Sequence, residues 1–487
     1  MSKRETNADS VAYATTVYQR HPDWLGADVG VQALLLNQRT NDVFELNSVA
    51  AIVWHHLAST LSFDALFKKV VEDFDAPADE CAVELNELLS DLIRLGVITR
   101  RPGQQSGDRA GIGQIRSHRD GGFNRLTLTR TLPPEFQLCV ACCRWNFAEG
   151  DPGVVRELST LVNWSALIRY ARYHRVHGLV WNCLSKLGID IPGSAAAGLA
   201  ADGFTIAAKN LAIVLECQRL MKAFDGQGLP AFQFIKGMTV ARIAYANPFA
   251  KMAWDIDILI LPDELSRAVK VLEMLGYSLE IPAFRDALDK WHGPEKESVW
   301  KKSSPEIYIE LHTRLADNLH LIPSITAKSP QQKVYVAPDI AVPTLADEEL
   351  FAYLAVHGSS SAWFRLKWIS DFAGFLNGRT GDQIETLYRR SQSLAAGRAP
   401  GQALLLADTL FGTLANAPAL RDELQSQRPV TILAQAGLKQ LTIPPREPTE
   451  HLFGTARIHW TQLLMMPGIG FKASELWRQT TKVLHGR

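Results

Sequence analysis

The chain has 487 residues, and this length predicts about three domains. Hydrophobic residues make up 47% and charged residues 21%, which is typical of a globular protein and excludes a disordered, collagenous or coiled-coil chain. Lysine plus arginine and aspartate plus glutamate each number 51, so the formal charge is zero. Because proteins that grip long nucleic acids usually carry a basic excess, this balance makes nucleic-acid binding unlikely.

The cysteines and the apolar runs indicate the compartment. Six cysteines in a chain of this length do not form a disulfide framework. Cys139, Cys142 and Cys143 lie among apolar residues, and we expect them to pack in the core rather than bind metal. The polar start lacks the apolar stretch of a secretory signal, and no run of about 18 uncharged apolar residues occurs. We therefore expect no membrane-spanning helix and a cytoplasmic protein.

The first patterned segment predicts a hairpin followed by three helices. Two apolar runs flank a polar turn in VQALLLNQRTNDVFEL (31–46), which favours a β-hairpin. Asn47 and Ser62 are placed to cap the next two helices, and Gly96 is placed to end the third. This content predicts a small winged-helix-like module.

Composition divides the remainder of the chain. A stretch rich in glycine, serine, glutamine and charge predicts a flexible linker. Helical periodicity follows, then short β-prone runs alternating with a helix, which predicts an α/β core, and then further helices. We predict an α+β, mostly helical protein with segments at 25–100, 101–125, 126–226, 227–330 and 331–487.

Two aspartates on a predicted strand carry the candidate chemistry. Asp255 and Asp257 lie two apart in KMAWDIDILIL, and side chains alternate along a strand, so both face one side. Close carboxylates repel unless a cation lies between them, and such a pair suits Mg²⁺. A solvated strand edge is the alternative, but apolar neighbours indicate burial, where unpaired carboxylates are costly. Glu310 in EIYIELH is a third acid that a neighbouring strand could bring close.

Upstream of the aspartates, Lys236 and Gly237 end a predicted strand and open a helix. A glycine there lets backbone N–H groups approach a phosphate, and the lysine adds positive charge.

Four histidine and lysine positions are further candidates. We expect His312 to face the side of its strand opposite Glu310 and to be a packed histidine, with a site role as the alternative. His357 and Lys367 lie on predicted helices in HGSSSAWFRLKW and could contact substrate, or could be structural and solvated. His292 lies in a predicted loop near the site strand.

The segment LPAFQFIKGMTVARIAYANPFAKMAWDIDILILPDELSRAVKVLEMLGY (229–277) resembles the uncharacterised nucleotidyltransferase family of the polymerase-β-like superfamily. The shared features are a Lys-Gly turn, a basic residue four before Asp-Ile-Asp, a helix ending in Leu-Gly-Tyr, and a later acid in a Glu-Leu-His strand. The match is specific within 231–312 and moderate over 126–475. The resemblance implies that Asp255, Asp257 and Glu310 bind Mg²⁺ (or Mn²⁺), with Glu310 helping to deprotonate an acceptor hydroxyl.

The same resemblance implies that Lys236, Gly237 and Lys251 hold the phosphates of a nucleoside triphosphate. Two departures from the family pattern weaken these predicted contacts with the phosphates. Met238 follows the glycine where better-known nucleotidyltransferases have a serine, and Lys251 stands where many members have arginine, which removes a bidentate contact.

The N-terminal module resembles the PqqD-like family, named after pyrroloquinoline-quinone biosynthesis protein D. DVFELNSVAAIVWHHL and ELLSDLIRLGVITR carry this resemblance, which covers about 28–100. It implies recognition of a peptide that adds as a strand to the hairpin sheet. A plain winged-helix domain for dimerisation or DNA contact is the alternative, and the acidic residues of 61–95 argue against DNA.

These features predict a Mg²⁺-dependent nucleotidyltransferase that moves a nucleotidyl or related phosphoryl-linked group to a hydroxyl acceptor. The acceptor is predicted to be a peptide or natural-product intermediate recruited by the N-terminal module. A non-catalytic nucleotide-binding or peptide-binding protein with a degenerate transferase fold is the alternative, because the serine after Gly237 is missing. A transcriptional regulator is disfavoured by the acidic module.

Overall fold

The computed structural model describes residues 16–74, 78–102, 132–148, 151–443 and 455–484. The chain folds as two compact units, Met1–Asp120 and Gly121–Arg487. The linker predicted at 101–125 lies outside the described residues except for 101 and 102. The described elements are mostly helices with small sheets, which confirms the prediction of a mostly helical α+β protein.

The first unit is built from short strands and three described helices. In chain order these are β1 (Thr16–Arg20), β2 (Trp24–Val29), β3 (Gln32–Asn37), β4 (Val43–Leu46), α1 (Ser48–His56), β5 (Leu61–Ser62), α2 (Phe63–Phe74), α3 (Ala78–Arg94) and β6 (Ile98–Pro102). The predicted hairpin is β3–β4, and β2 extends it to a three-stranded antiparallel sheet. A second small sheet has the order β5–β1–β6.

Local sequence explains where these helices begin and end. The side chain of Asn47 accepts a hydrogen bond from the backbone N–H of Ala50 at 2.9 Å, and Ser62 Oγ accepts one from Ala65 at 3.2 Å. Gly96 follows α3 with φ +69°, a left-handed conformation that glycine adopts without strain. The three capping predictions are confirmed.

The second unit packs helices around a five-stranded mixed sheet and also contains a two-stranded antiparallel sheet. Its described elements are α4 (Pro134–Ala148), α5 (Pro152–Ser159), α6 (Trp164–Tyr173), α7 (His177–Lys186), α8 (Gly193–Gly226), β7 (Phe232–Phe234), α9 (Met238–Ala244), β8 (Asp255–Ile260), α10 (Leu265–Met274), β9 (Ser278–Ile281), α11 (Leu288–Trp291), β10 (Glu297–Ser303), β11 (Glu306–His312), β12 (Gln331–Ala337), β13 (Ile340–Leu345), α12 (Asp347–Ser360), α13 (Leu366–Leu376), α14 (Gly381–Ser393), α15 (Ala399–Phe411), α16 (Pro418–Ser426), α17 (Arg428–Leu441), α18 (Ala456–Leu464) and α19 (Ile469–Leu484).

The sheet has the order β7–β8–β11–β10–β9, with β8 and β11 adjacent and parallel and the other pairs antiparallel. Interior strand β8 reads DIDILI, and its residues Ile256, Ile258, Leu259 and Ile260 are 3% exposed or less. This burial explains the β-branched, apolar run in the sequence, because both faces of the strand are covered along most of its length.

One hydrophobic core joins the helices on both sides of this sheet. It runs from Phe136 to Phe471 and draws on all three predicted segments after residue 126, whose boundaries remain predictions. Cys139, Cys142 and Cys143 belong to it and are fully buried, which confirms that they are core residues. Burial raises the pKa of the Cys142 thiol well above its usual value, so it stays protonated and unreactive.

Helix α8 is long and apolar enough to cross a membrane by length and composition alone, and it is the one such helix among the described ranges. About 44% of its apolar window is buried inside the protein, with Leu211, Val214 and Leu220 fully enclosed. The core helices of soluble proteins pass the same test, so this helix is weak evidence for a membrane segment.

Candidate functional site

Strands β8 and β11 bring the predicted acids together. Their parallel register pairs Glu310 with Asp257 and Tyr308 with Asp255. Residues paired across a sheet share a face, and side chains alternate along each strand, so all three acids face one side. The intervening Ile309 is fully buried on the other side.

The three acids line an open cleft with a cavity volume of about 210 Å³. The other predicted residues that line it are Lys236, Gly237, Lys251, His357 and Lys367. Residues far apart in the sequence therefore converge on one concave surface that mixes carboxylates with cations.

Lys236 is the cation closest to the carboxylates. Its Nζ lies 2.7 Å from Asp257 Oδ1 and 3.6 Å from Glu310 Oε2. Burial opposes charge on all three groups, but their mutual attraction outweighs it. The pKa of Lys236 is raised well above its usual value, and the pKa values of Asp257 and Glu310 are lowered. Both carboxylates are therefore ionised at neutral pH.

His312 lies on the same face as Glu310, so the expectation that it faces the opposite side is wrong. Positions 310 and 312 are two apart on β11, and the alternation of a strand places them together. Its Nε2 lies 3.1 Å from Asp257 Oδ1 and 3.5 Å from Glu310 Oε2. The ring is fully buried beneath the carboxylates, so it holds them rather than facing the cleft opening.

Glu297 and Lys296 join this network, and the sequence analysis missed both. Glu297 begins β10 and pairs with His312 across the sheet, where its Oε2 lies 3.2 Å from His312 Nδ1. Lys296 contacts the same carboxylate. Burial would lower the pKa of His312, but Glu297, Asp257 and Glu310 raise it above its ordinary value. The signal in the sequence is the Lys-Glu pair at the start of ESVWKKS, the strand that pairs with EIYIELH.

The Lys-Gly turn lies between β7 and α9 as predicted. Gly237 has φ +66° and ψ −124°, a conformation that side chains with a Cβ rarely adopt, although a Cβ would have room beside Asp255 O at 3.5 Å. Met238 is 3% exposed, and Thr239 Oγ1 donates to Lys236 O at 3.0 Å. The turn therefore presents backbone rather than a hydroxyl to the cleft.

Lys251 is held beside this turn by a buried network. Its Nζ lies 3.3 Å from Asp371 Oδ2 and donates to Gly237 O at 3.5 Å. Tyr245 donates to the other oxygen of Asp371 at 2.8 Å. Lys251 is 5% exposed, so it is a fixed positive charge at the cleft rather than a mobile surface lysine.

His357 lies against aromatic rings, with its centroid 5.8 Å from Tyr353 and 5.7 Å from Trp368. Burial and nearby lysines, Lys236 first among them, lower the pKa of His357 well below its usual value, so it is neutral. His292 follows α11 and is 9% exposed, with its ring nitrogens bonded to Thr313 and Ser298 at 3.0 and 3.1 Å.

The donor set fits a divalent cation. Ligand atoms of Asp257, Glu310 and His312 all lie within 4.8 Å of one another. Carboxylate oxygens suit Mg²⁺, and an added imidazole nitrogen also suits Mn²⁺. This group shares Asp257 and Glu310 with the predicted ligands, while Asp255 lines the cleft on the same face. The Lys236 ammonium contacts the same oxygens, so a cation and Lys236 compete for them.

The role of Lys236 as a counter-charge is testable. Lys236→Met leaves Asp257 and Glu310 without their main cationic partner, and breaking a buried ion pair costs about 3–5 kcal/mol. We expect the free energy of unfolding in metal-free urea titrations to fall by that order, and added Mg²⁺ to recover part of the loss. Lys270→Met, at an exposed position on α10, is the matched control. Equal stability of Lys236→Met and the control would contradict this role.

Comparison with known proteins found a matching family for each of two parts of the chain. Residues 160–412, more than half of the chain, match the family described as Uncharacterised nucleotidyltransferase. Residues 32–98 match Coenzyme PQQ synthesis protein D (PqqD). A search of curated proteins found no match. The chain therefore belongs to the uncharacterised nucleotidyltransferase family and carries a PqqD domain at its N-terminal end.

Proposed function

We propose that this protein transfers a nucleotidyl group from a nucleoside triphosphate to a hydroxyl acceptor in a Mg²⁺-dependent or Mn²⁺-dependent reaction. The observation that carries the proposal is the pairing of Glu310 with Asp257 in a cleft that also holds the Lys236-Gly237 turn. Carboxylates and a glycine turn that line one cleft are groups that phosphoryl transfer uses.

In this proposal the chain positions the donor by charge and backbone. Asp255, Asp257 and Glu310 would hold a divalent cation, which when bound neutralises charge on the phosphates and polarises them. The backbone of Gly237 and the ammonium of Lys251 would contact the phosphates. Lys236 would turn from Asp257 towards the phosphates as the cation takes its place.

Glu310 would accept the proton of the acceptor hydroxyl. Its lowered pKa keeps it ionised, so it can act as a base. The hydroxyl oxygen forms a bond to the α-phosphorus, the bond from that phosphorus to the bridging oxygen breaks, and pyrophosphate leaves. His312 would keep Asp257 and Glu310 in position from beneath.

The N-terminal PqqD domain would recruit a peptide or natural-product acceptor. Within this unit β4 lies at the edge of the β2–β3–β4 sheet, and Val43 on it is 50% exposed. An edge strand offers unpaired backbone groups to which an extended peptide can add. We place the reaction in the cytoplasm.

A non-catalytic nucleotide-binding protein is the second candidate. Met238 is buried where a serine hydroxyl would contact phosphate, and the Thr239 hydroxyl is bonded to Lys236 O. The turn therefore offers one phosphate contact fewer than a turn with a serine after the glycine. The ionised Glu310 beside Asp257 favours the catalytic proposal, since binding alone does not need a base there.

Glu310→Gln separates a catalyst from a binder. If Glu310 accepts the hydroxyl proton, the variant should transfer nucleotide about 10²–10⁴-fold more slowly, while triphosphate affinity changes much less. The assay follows labelled ATP, CTP, GTP and UTP with Mg²⁺. Glu306→Gln is the matched control, because Glu306 lies on the same strand with its side chain 59% exposed.

Three outcomes would assign Glu310 differently. Parallel loss of affinity and turnover would make it mainly a metal ligand, and a lower melting temperature would make it a structural acid. An unchanged rate in the folded variant would exclude it from the reaction.

Deleting residues 1–120 tests recruitment. The two compact units predict that the remaining chain still transfers nucleotide to small acceptors, because the cleft lies wholly within the second unit. Transfer to the peptide acceptor should weaken, with a rise in KM and a smaller change in kcat. Equal kinetics on that acceptor with and without residues 1–120 would contradict recruitment by the PqqD domain.

A further inference from the structure

The cleft contains two cationic side chains that the proposed chemistry leaves unassigned. Arg175, in the turn after α6, and Lys367, on α13, line it together with Lys251, Asp255 and Asp257. Lys251 is paired with Asp371, but the described residues place no carboxylate at ion-pair distance from the Lys367 ammonium. Among the described residues, Lys367 is therefore a cation of the cleft that no carboxylate pairs.

Two segments far apart in the sequence are joined by hydrogen bonds that position these cations, and we call this set of contacts the lock. The backbone N–H of Lys367 donates to His174 O at 3.3 Å, and that of Leu366 donates to the His174 ring at 3.2 Å. Arg365 donates to Tyr173 O and lies over the Tyr173 ring at 4.6 Å. These contacts tie the start of α13 to the turn after α6, so Lys367 and its neighbour Arg175 are held at fixed positions.

His174 supports this lock as a buried neutral ring. It is fully enclosed, and burial together with Arg365 lowers its pKa to about 3. A neutral ring can accept the Leu366 N–H at Nδ1, which a charged ring could not. The lock is therefore maintained at neutral pH.

Arg175 occupies a strained backbone position. Its φ is +56°, in the left-handed region that residues other than glycine rarely adopt, and such positions cluster at ligand sites. Its guanidinium carbon lies 5.7 Å from the ring centroid of Trp254, a side chain 44% exposed just before Asp255. The Arg175 guanidinium therefore lies beside the residue that precedes Asp255, in the cleft that holds the acids.

Lys367 lies among like charges in a partly buried setting. Burial first, and then Lys251 and Arg175, lower its pKa to about 7, while Asp255 and Asp371 oppose the shift. Clustered like charges in a partly desolvated cleft are costly, and an anionic ligand would remove that cost.

We propose that Arg175 and Lys367 bind the terminal phosphates of the donor triphosphate, so that the cleft selects triphosphates over shorter phosphates. The inference rests on the proposed nucleotidyl transfer for the identity of the donor. The planar fork of Arg175 suits two phosphate oxygens, and Lys367 supplies a point charge beside it. A polyphosphate chain running from the Gly237 turn past Lys251 would meet both.

The test measures binding to the full chain by titration calorimetry with inorganic tripolyphosphate, pyrophosphate and orthophosphate, each with Mg²⁺. Lys367→Met and Arg175→Gln should each weaken tripolyphosphate binding by about 10-fold to 100-fold, the range for one charge-assisted contact. Orthophosphate binding should change less. Lys270→Met, an exposed lysine outside the cleft, should change neither. Lys367→Met should melt no lower than the parent chain, because it removes repulsion.

Arg175→Lys distinguishes the shape of the guanidinium from its charge. It also provides a second variant if Arg175→Gln does not fold. It should keep the positive charge and recover only part of the lost affinity. Equal tripolyphosphate binding by Lys367→Met and the parent chain would overturn the inference. So would a loss of transfer with unchanged tripolyphosphate binding, since these cations would then serve an anionic acceptor.

Failure of the proposed function gives a different pattern. Tripolyphosphate binding that depends on Lys367, in a chain that transfers no nucleotide, would support the subsite and contradict the transfer reaction. Nucleotide transfer that is insensitive to Lys367 and Arg175 would support the reaction and overturn the subsite.

Discussion

Asp257 and Glu310 face each other because β8 and β11 run parallel in a single register, and the rest of the site depends on this pairing. A slip of one residue would turn Glu310 to the opposite face and bring Ile309 into the cleft. The buried isoleucines of both strands oppose such a slip, since it would expose them. Packing of the apolar side chains on one face of the sheet therefore determines which acids lie side by side on the other face.

The acids so placed would repel one another without counter-charges, and the structure supplies these from both sides. Lys236 reaches Asp257 and Glu310 from the turn, and His312 supports them from beneath. Lys251, Lys367 and Arg175 line the same cleft. A complex of a divalent cation with a polyphosphate matches this arrangement, because its cation suits the carboxylates and its phosphates suit the lysines and arginine.

Much of this could be predicted from the sequence, and the failures have physical reasons. The acids, the Lys-Gly turn and the hairpin followed from alternation and turn chemistry, which are local. The expectation that His312 faces away from Glu310 is wrong, although it could have been avoided. Positions 310 and 312 are two apart on one strand, so their side chains lie on the same face. Glu297 and the lock between His174 and Lys367 depend on contacts between segments far apart in the chain. Such pairings are set by tertiary packing, which no local pattern specifies.

The most direct test of the central claim is pyrophosphate release from the four common nucleoside triphosphates, with and without Mg²⁺, by the parent chain and Asp257→Asn. Asp263→Asn, at an exposed position just after β8, is the control. Asp257 lies 2.7 Å from the Lys236 ammonium and 3.1 Å from the His312 ring, and it belongs to the proposed cation site. The account predicts Mg²⁺-dependent release by the parent and the control and its loss in a folded Asp257→Asn. Undiminished release by Asp257→Asn would contradict it.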